Sequence, residues 1–411
     1  MHQALDSILK YYQIRNHQLC VAGRPVADIA AETGTPLYLY DLNVARAKYA
    51  KLRSAMPAEV DIHYAIKANP HPEIIRFFKE LGCGADVASQ GELEKTLQAG
   101  IPPLDIGFAG PGKSRAELEA ACRAGIGSLN AESEQELELA NQVAGEVGRN
   151  INVALRINPA FELVASGMRM GGGPKAFGID EEEIPRILGR FNDWPHLTFA
   201  GFHLFAGSQN LKAESICDAL EKAFTVFESL LPHCPQAPQL INLGGGFGIP
   251  YFAGDDELDL RAVGERLGEL LAEKRHLFPE TQFLVETGRY LVGEAGLYVA
   301  QVEYVKPSRG QTFLVLNGGM NHQLAASGNL GQIIKKPYPM ALVDQADSPP
   351  TTTVQVVGPL CTPIDTFGKK VELPAAQPGD LLAVFCSGAY GYSSSPLGFL
   401  GHAEPVEKVV G

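Results

Sequence analysis

Eight strand-like runs, each followed by a helix-like segment, lie between residues 60 and 288 of this 411-residue chain. They are VDIHYAI (60–66), GADVAS (84–89), DIGFAG (105–110), GSLNAES (127–133), VALRINP (153–159), FAGFHLFAG (199–207), LINLGGG (240–246) and FLVETG (283–288). Between them, as in HPEIIRFFKEL and SRAELEAACRAG, apolar residues recur every three or four positions, the period of a helix with one buried face. Eight such units over about 250 residues predict an α/β fold, a (β/α)8 TIM barrel spanning 37–290. A doubly wound open sheet is the competing architecture, disfavoured because no break in composition divides the eight units. Beyond residue 290 the runs LYVAQVEYVKP, TFLVLNGGM, TTTVQVVGP and DLLAVFCSGAY are β-branched and separated by turns. They predict a β-rich domain over 291–411, which residues 1–36 are expected to join.

Bulk charge narrows the partners. With 34 Lys plus Arg against 47 Asp plus Glu, the formal charge is -13, which argues against nucleic acid or an anionic membrane surface as the main partner. No apolar run approaches the roughly 20 residues of a membrane helix. The opening MHQALDSILKYYQIRN lacks the features of a secretory leader, so a cytoplasmic location is expected. Seven cysteines, odd in number and never spaced CxxC, predict neither a disulfide framework nor a cysteine zinc site; no metal is expected.

In a barrel of this kind, catalytic groups stand at the C-terminal ends of strands. Lys67 ends the first strand, Asp86 lies in the second and Arg156 ends the fifth. His203 and Ser208 flank the end of the sixth, Gly244, Gly245 and Gly246 end the seventh, and Glu286 and Arg289 end the eighth. Polar residues on six strand ends converge on one pocket. Three consecutive glycines offer backbone N–H groups that reach a phosphate without Cβ interference; the alternative is a tight strand-to-helix turn. Glu286 closes an apolar run, so it points inward and needs a cationic partner, whether in a structural ion pair or in catalysis. GFAGPGKS (107–114) matches G-x-x-x-x-G-K-[ST] literally, which would put Lys113 on a nucleotide phosphate. No later apolar strand ends in an aspartate to hold magnesium, so nucleotide hydrolysis is disfavoured.

Seven motifs, in order, are YAIKAN, DVASQGELE, GFHLFAGSQ, NLGGGFG, ETGRYLV, GPLCTPID and SGAYGYS. Together they resemble the fold-type III pyridoxal-phosphate decarboxylases, the ornithine and diaminopimelate decarboxylase group, from about residue 25 to 405. Within that group FAGPGK, GMRMGGGPKAFGID and GGMNHQLAASGN are most similar to the exosortase-associated decarboxylases and the glutamyl-carrier-protein decarboxylase of butirosin biosynthesis. The resemblance implies an alanine-racemase-like barrel plus a β domain, with pyridoxal 5'-phosphate (PLP) as cofactor. Lys67 then forms the Schiff base, desolvation at a strand end favouring its neutral form, and Glu286 pairs with the pyridine nitrogen. Gly244, Gly245, Gly246, Ser208, Gly288, Arg289 and Tyr390 surround the phosphate. Asp86, Arg156 and His203 shape the pocket, and Phe205 replaces a histidine that usually stacks on the ring. Cys361 matches the cysteine that reaches the neighbouring subunit's site as general acid, which implies a homodimer with shared sites.

The departures bear on substrate. Diaminopimelate decarboxylases carry an acid after that cysteine, where this chain has Thr362, and an arginine where it has Ala325. Asp365 is a substitute acid, and Asn321 lies in the same substrate-side segment as Ala325. The expectation is an amino-acid decarboxylase of a specialised biosynthetic route, not acting on diaminopimelate. Its substrate is a small amino acid or an acyl-carrier-protein-linked glutamyl group, with Lys335 and Lys336 available to a phosphopantetheine phosphate. Alternatives are a free ornithine, lysine or D-amino-acid decarboxylase, a racemase of the same fold, and a non-catalytic regulatory homologue.

Overall fold

A computed structural model describes residues 2–161, 168–169, 172–205, 207–330, 332 and 334–411; part of GMRMGGGPKAFGID lies outside them. The chain divides into two compact units. One comprises Ala50–Gly248 and Glu257–Gly288, the other Met1–Tyr49, Ile249–Asp256 and Arg289–Gly411.

The first unit is the barrel. Its parallel strands are β1 Val60–Ala65, β2 Gly84–Val87, β3 Ile106–Phe108, β4 Ser128–Ala131, β5 Ile151–Asn158, β6 Leu197–Leu204, β7 Leu240–Gly245 and β8 Gln282–Thr287. Each pairs with the next, β8 pairs with β1, and the ring closes. All of β2, β3 and β4 is buried, as strands covered on both faces must be. The helices start where side chains cap them. Ser89, Ser114 and Ser133 each accept a hydrogen bond from the backbone N–H three residues on, and Glu117 completes a capping box with Ser114. Outside β6 and β8, Phe202, Phe224, Phe227, Phe278 and Phe283 interlock, with ring centroids 5.7–6.4 Å apart. Each such pair is worth about 0.5–1.5 kcal/mol beyond area burial, so this cluster fixes how the helix Ala213–Leu230 packs on the strands.

The second unit is β-rich. Its main sheet runs in the order Met340–Leu342, Leu381–Val384, Gly296–Ser308, Gln311–Leu316, Thr352–Val357 and Thr366–Leu373. Leu37–Asp41, assigned from sequence to the start of the barrel region, instead lies in this unit. It pairs antiparallel with Gly296–Ser308 and parallel with Val406–Val410. Inside the unit, Lys48 and Glu294 form an ion pair with side chains 3% and 1% exposed.

Candidate active site

Strand β1 ends at Ala65, and Lys67 sits in the single 3-10 turn Ile66–Ala68 that follows. Its ammonium is 3.1 Å from Asp86 Oδ2 on β2 and 5.9 Å from the centroid of Phe205. The desolvation expected around this lysine is not found: its side chain is 41% exposed, and a carboxylate faces it. Gly288 makes the turn possible, because a Cβ there would come within 2.7 Å of Ala68 Cβ and 3.1 Å of Ala65 O, on either side of Lys67.

Glu286 is buried at the end of β8. Burial, then the charge of Asp86, pushes its carboxyl up to about 8, although Lys67, the amide of Asn242 and Arg156 pull the other way. Among the described residues, the imidazole of His203 comes near it, with Nε2 3.7 Å from Glu286 Oε1, beyond hydrogen-bond reach. Burial and the charges of Arg156, Lys67 and Lys113 hold that imidazole well below its usual range, so it is neutral. Among the described residues neither ring nitrogen of His203 has a partner, nor do Asp86 Oδ1 and Thr287 Oγ1.

Two residues missed by the sequence reading organise the site. Asn242 on β7 donates to Glu286 Oε1 and accepts from the Gly244 N–H at 2.9 Å, joining the glycine turn to the acid. Glu132, just past β4, accepts from Arg156 Nη1 at 2.7 Å and from the Gly110 and Gly178 N–H groups. Arg156 is therefore held by a carboxylate, with its guanidinium 5.1 Å from the ring centroid of Phe177. An isolated acid at a strand end was the available signal for Glu132, and an amide inside an apolar strand the signal for Asn242.

The glycine turn packs against its neighbours. Gly244 and Gly246 have φ of +64° and +87°, and a Cβ on Gly246 would fall 2.1 Å from Gly207 O and 3.5 Å from Ser208 Cα. A Cβ on Gly245 would fall 1.7 Å from Glu286 O. These glycines satisfy the strand-to-helix turn; Gly246 comes close to Ser208, while the Gly244 N–H is given to Asn242. Lys113, the lysine of the nucleotide-loop match, is buried and donates to Gly110 O, Asn130 O and Glu136. All three of its donors are used, so it has none for a phosphate.

The other sequence-predicted residues lie in the β-rich unit. Arg289 donates to Tyr251 Oη at 2.9 Å and lies 4.6 Å from the ring centroid of Tyr390; its Nε has no partner. Of the seven cysteines, Cys361 alone is exposed, while burial pushes the thiols of Cys83 and Cys234 up to about 12. Thr362 follows it in the loop. Asp365, considered for the substrate, is buried and spent on the backbone: its oxygens accept the Met320 and Leu360 N–H groups at 2.7 and 2.9 Å. Asn321 and Ala325 are buried too, Asn321 with no side-chain partner.

The residues of the barrel fit PLP: an amine at a strand end, an inward acid lacking a counter-charge, unpartnered polar atoms beside it and a backbone N–H cluster. Fold and site define a PLP-dependent barrel enzyme. The sequence model described as "Pyridoxal-dependent decarboxylase, pyridoxal binding domain" matches residues 42–293. The chain is 38% identical to the L-glutamyl-[BtrI acyl-carrier protein] decarboxylase of Niallia circulans, over 91% of this chain and 88% of that one. It is 32% identical to the diaminopimelate decarboxylase of Aquifex aeolicus, over 94% and 89%. The crystal structure of diaminopimelate decarboxylase from M. jannaschii superposes with a TM-score of 0.90 at 25% identity, covering 98% of this chain and 94% of that one. The chain belongs to the PLP-dependent decarboxylase family and is an amino-acid decarboxylase. Among the described residues no helix is long and apolar enough to cross a membrane, and no group of side chains forms a metal site.

Proposed function

We propose that the enzyme removes the α-carboxylate of an L-glutamyl group carried as a thioester on an acyl carrier protein. The observation that carries this reading is the 38% identity, over 91% of the chain, to a decarboxylase of that kind. The substrate-side residues support it. Ala325 offers no cation to a distal carboxylate, Thr362 offers no acid to a distal amine, and Asp365 is committed to the loop backbone. Losing one partner of a buried charge pair costs about 2–5 kcal/mol, so a free diamino acid is disfavoured. The likeness to diaminopimelate decarboxylases favours a second reading, decarboxylation of a free diamino acid.

Bound PLP supplies the electron sink for the pair left when carbon dioxide departs. Lys67 holds its aldehyde carbon, fixed in place by the turn that Gly288 permits. Glu286, oriented by Asn242, keeps a proton on the pyridine nitrogen, and that cation supplies the counter-charge the acid lacks within the barrel. Backbone N–H groups of Gly245 and Gly246 and the Ser208 hydroxyl would hold the phosphate. Phe205, beside Lys67, would pack on the cofactor, and Asp86, Arg156 and His203 would form the pocket wall. Cys361 returns a proton at the carbon that lost carbon dioxide. The working form is a cytoplasmic homodimer with Cys361 serving the partner's site. Carbon-dioxide release from a glutamyl-carrier thioester, free L-glutamate, ornithine, lysine and diaminopimelate tests the substrate. We expect kcat/KM highest on the thioester; a comparable value on free diaminopimelate refutes the reading.

A further inference from the structure

The β-rich unit contains a cavity of about 520 Å³ lined by Lys335, Lys336, Lys369 and Lys370, with Ile364 and Phe367 as its apolar wall. No acidic residue lines it, although acids outnumber bases in the chain by 47 to 34. Four lysines around one concavity on an acidic protein form a local field opposite to that of the whole molecule. Among the described residues none of the four is ion-paired. Lys335 Nζ donates to the amide oxygen of Asn329, and Lys336 Nζ lies 5.4 Å from the ring centroid of Phe252. Apolar side chains accompany this charge. Ile364 is 47% exposed on the rim, and Ile334, next in sequence to Lys335, is 77% exposed. Lysines without an acidic partner thus share the cavity with an apolar wall of Ile364 and Phe367.

The cavity shares a loop with the exposed thiol of Cys361. Asp365 accepts the Leu360 N–H, so the segment from Leu360 to Asp365 is a pinned turn that carries both Cys361 and Ile364. Three residues of chain span at most roughly 11 Å, which keeps the cavity wall close to Cys361.

We propose that this cavity docks the phosphate-bearing arm of an acidic carrier protein, its lysines on the phosphodiester and its isoleucines against the arm and the carrier's apolar rim. The assignment rests on the carrier-linked reading of the substrate. Charge complementarity selects the anion: clustered lysines favour a phosphodiester, and because the acidic remainder of the surface opposes any extended polyanion, a single phosphate at the end of a carrier's arm fits better than a nucleic acid.

The probes are L-glutamyl-S-phosphopantetheine, L-glutamyl-S-pantetheine without the phosphate, and unacylated phosphopantetheine for calorimetric binding. The holoenzyme is compared with a Lys335→Gln/Lys336→Gln/Lys369→Gln/Lys370→Gln variant and with one carrying arginine at all four positions. We expect wild type to favour the phosphorylated thioester by about tenfold or more in kcat/KM, in keeping with loss of charge-assisted contacts. The glutamine variant is expected to lose that preference and the binding, keeping its turnover of the pantetheine thioester, and the arginine variant to retain both. Equal kcat/KM on the two thioesters in wild type overturns the docking site while leaving the substrate reading intact. Lysine-dependent binding of phosphopantetheine with turnover of neither thioester sustains the docking site and sinks the substrate reading. Tighter lysine-dependent binding of a single-stranded oligonucleotide than of phosphopantetheine assigns the cavity to nucleic acid and overturns the proposal.

Discussion

At the scale of single residues, the site holds two ion pairs and one buried acid without a cationic partner. Lys67 faces Asp86, Arg156 faces Glu132, and Glu286 has no cation within ion-pair distance among the described residues apart from a neutral imidazole. A buried carboxyl in that position is protonated more readily folded than unfolded, and its value of about 8 sets the window. The native state then binds more protons than the unfolded state between the ordinary carboxylate range, about 4.3, and about 8. Stability is unaffected below that window, falls as pH rises through it, and levels off above. The loss is on the order of a few kcal/mol at most, since one pKa unit corresponds to about 1.4 kcal/mol. Cofactor-free wild type should therefore lose thermal stability from pH 5 to 8.5 relative to Glu286→Gln. Loading PLP should flatten the wild-type slope, because a pyridinium favours the ionised acid. Parallel pH profiles for cofactor-free wild type and Glu286→Gln would show that Glu286 does not carry this titration.

At the scale of elements, the barrel was legible because each strand is covered on both faces and so appears as a short apolar run between amphipathic helices. The polar residues that end those runs were legible for the same reason: Asp86 and Glu286 interrupt sequences that otherwise have no reason to be polar. Asn242 and Glu132 carried the same local signal, a polar residue at or near the end of an apolar strand, but their partners on neighbouring strands and loops, which give them their importance, are encoded by no local pattern. The glycine triplet carries two signals at once. Its Cβ positions are filled by Gly207 O and Glu286 O, so its composition follows from packing as much as from any phosphate. GFAGPGKS shows the converse hazard, a literal motif match whose lysine serves the barrel. Lys113 ties the loop after β3 to β4 and to the helix Glu134–Val147 through Gly110 O, Asn130 O and Glu136. Lys113→Met leaves Glu136 buried without its cation, and burial already raises that carboxyl. We expect a loss of about 3–5 kcal/mol in denaturant unfolding with no change in affinity for ATP or GTP, which should be negligible in both proteins. Measurable nucleotide affinity in wild type that the variant lacks would restore the phosphate-loop reading.

At the scale of the whole molecule, the two units divide the proposed chemistry between them. Lys67, proposed to hold the cofactor, belongs to the barrel, and the exposed thiol belongs to the β-rich unit. The seam between them was the least legible feature. Leu37–Asp41 looks like any first strand, yet its partners are Gly296–Ser308 and Val406–Val410, more than two hundred residues away in sequence. Ile249–Asp256 likewise leaves the barrel unit directly after the glycine turn without a change in composition. If Cys361 acts in the partner's site, lesions in Lys67 and Cys361 can complement across a dimer. A hybrid of one Lys67→Ala chain and one Cys361→Ala chain has one site with both groups intact and one with neither. Random reassortment of equal amounts makes half the dimers hybrid, so the mixture should recover about one quarter of wild-type turnover although each parent is nearly inactive. If Cys361 instead serves its own chain's site, every site in the mixture lacks one group, and activity should not exceed the mean of the parents. Turnover measured before and after reversible dissociation of the mixed variants separates the two cases, with PLP absorbance showing that the Cys361→Ala chains remain loaded.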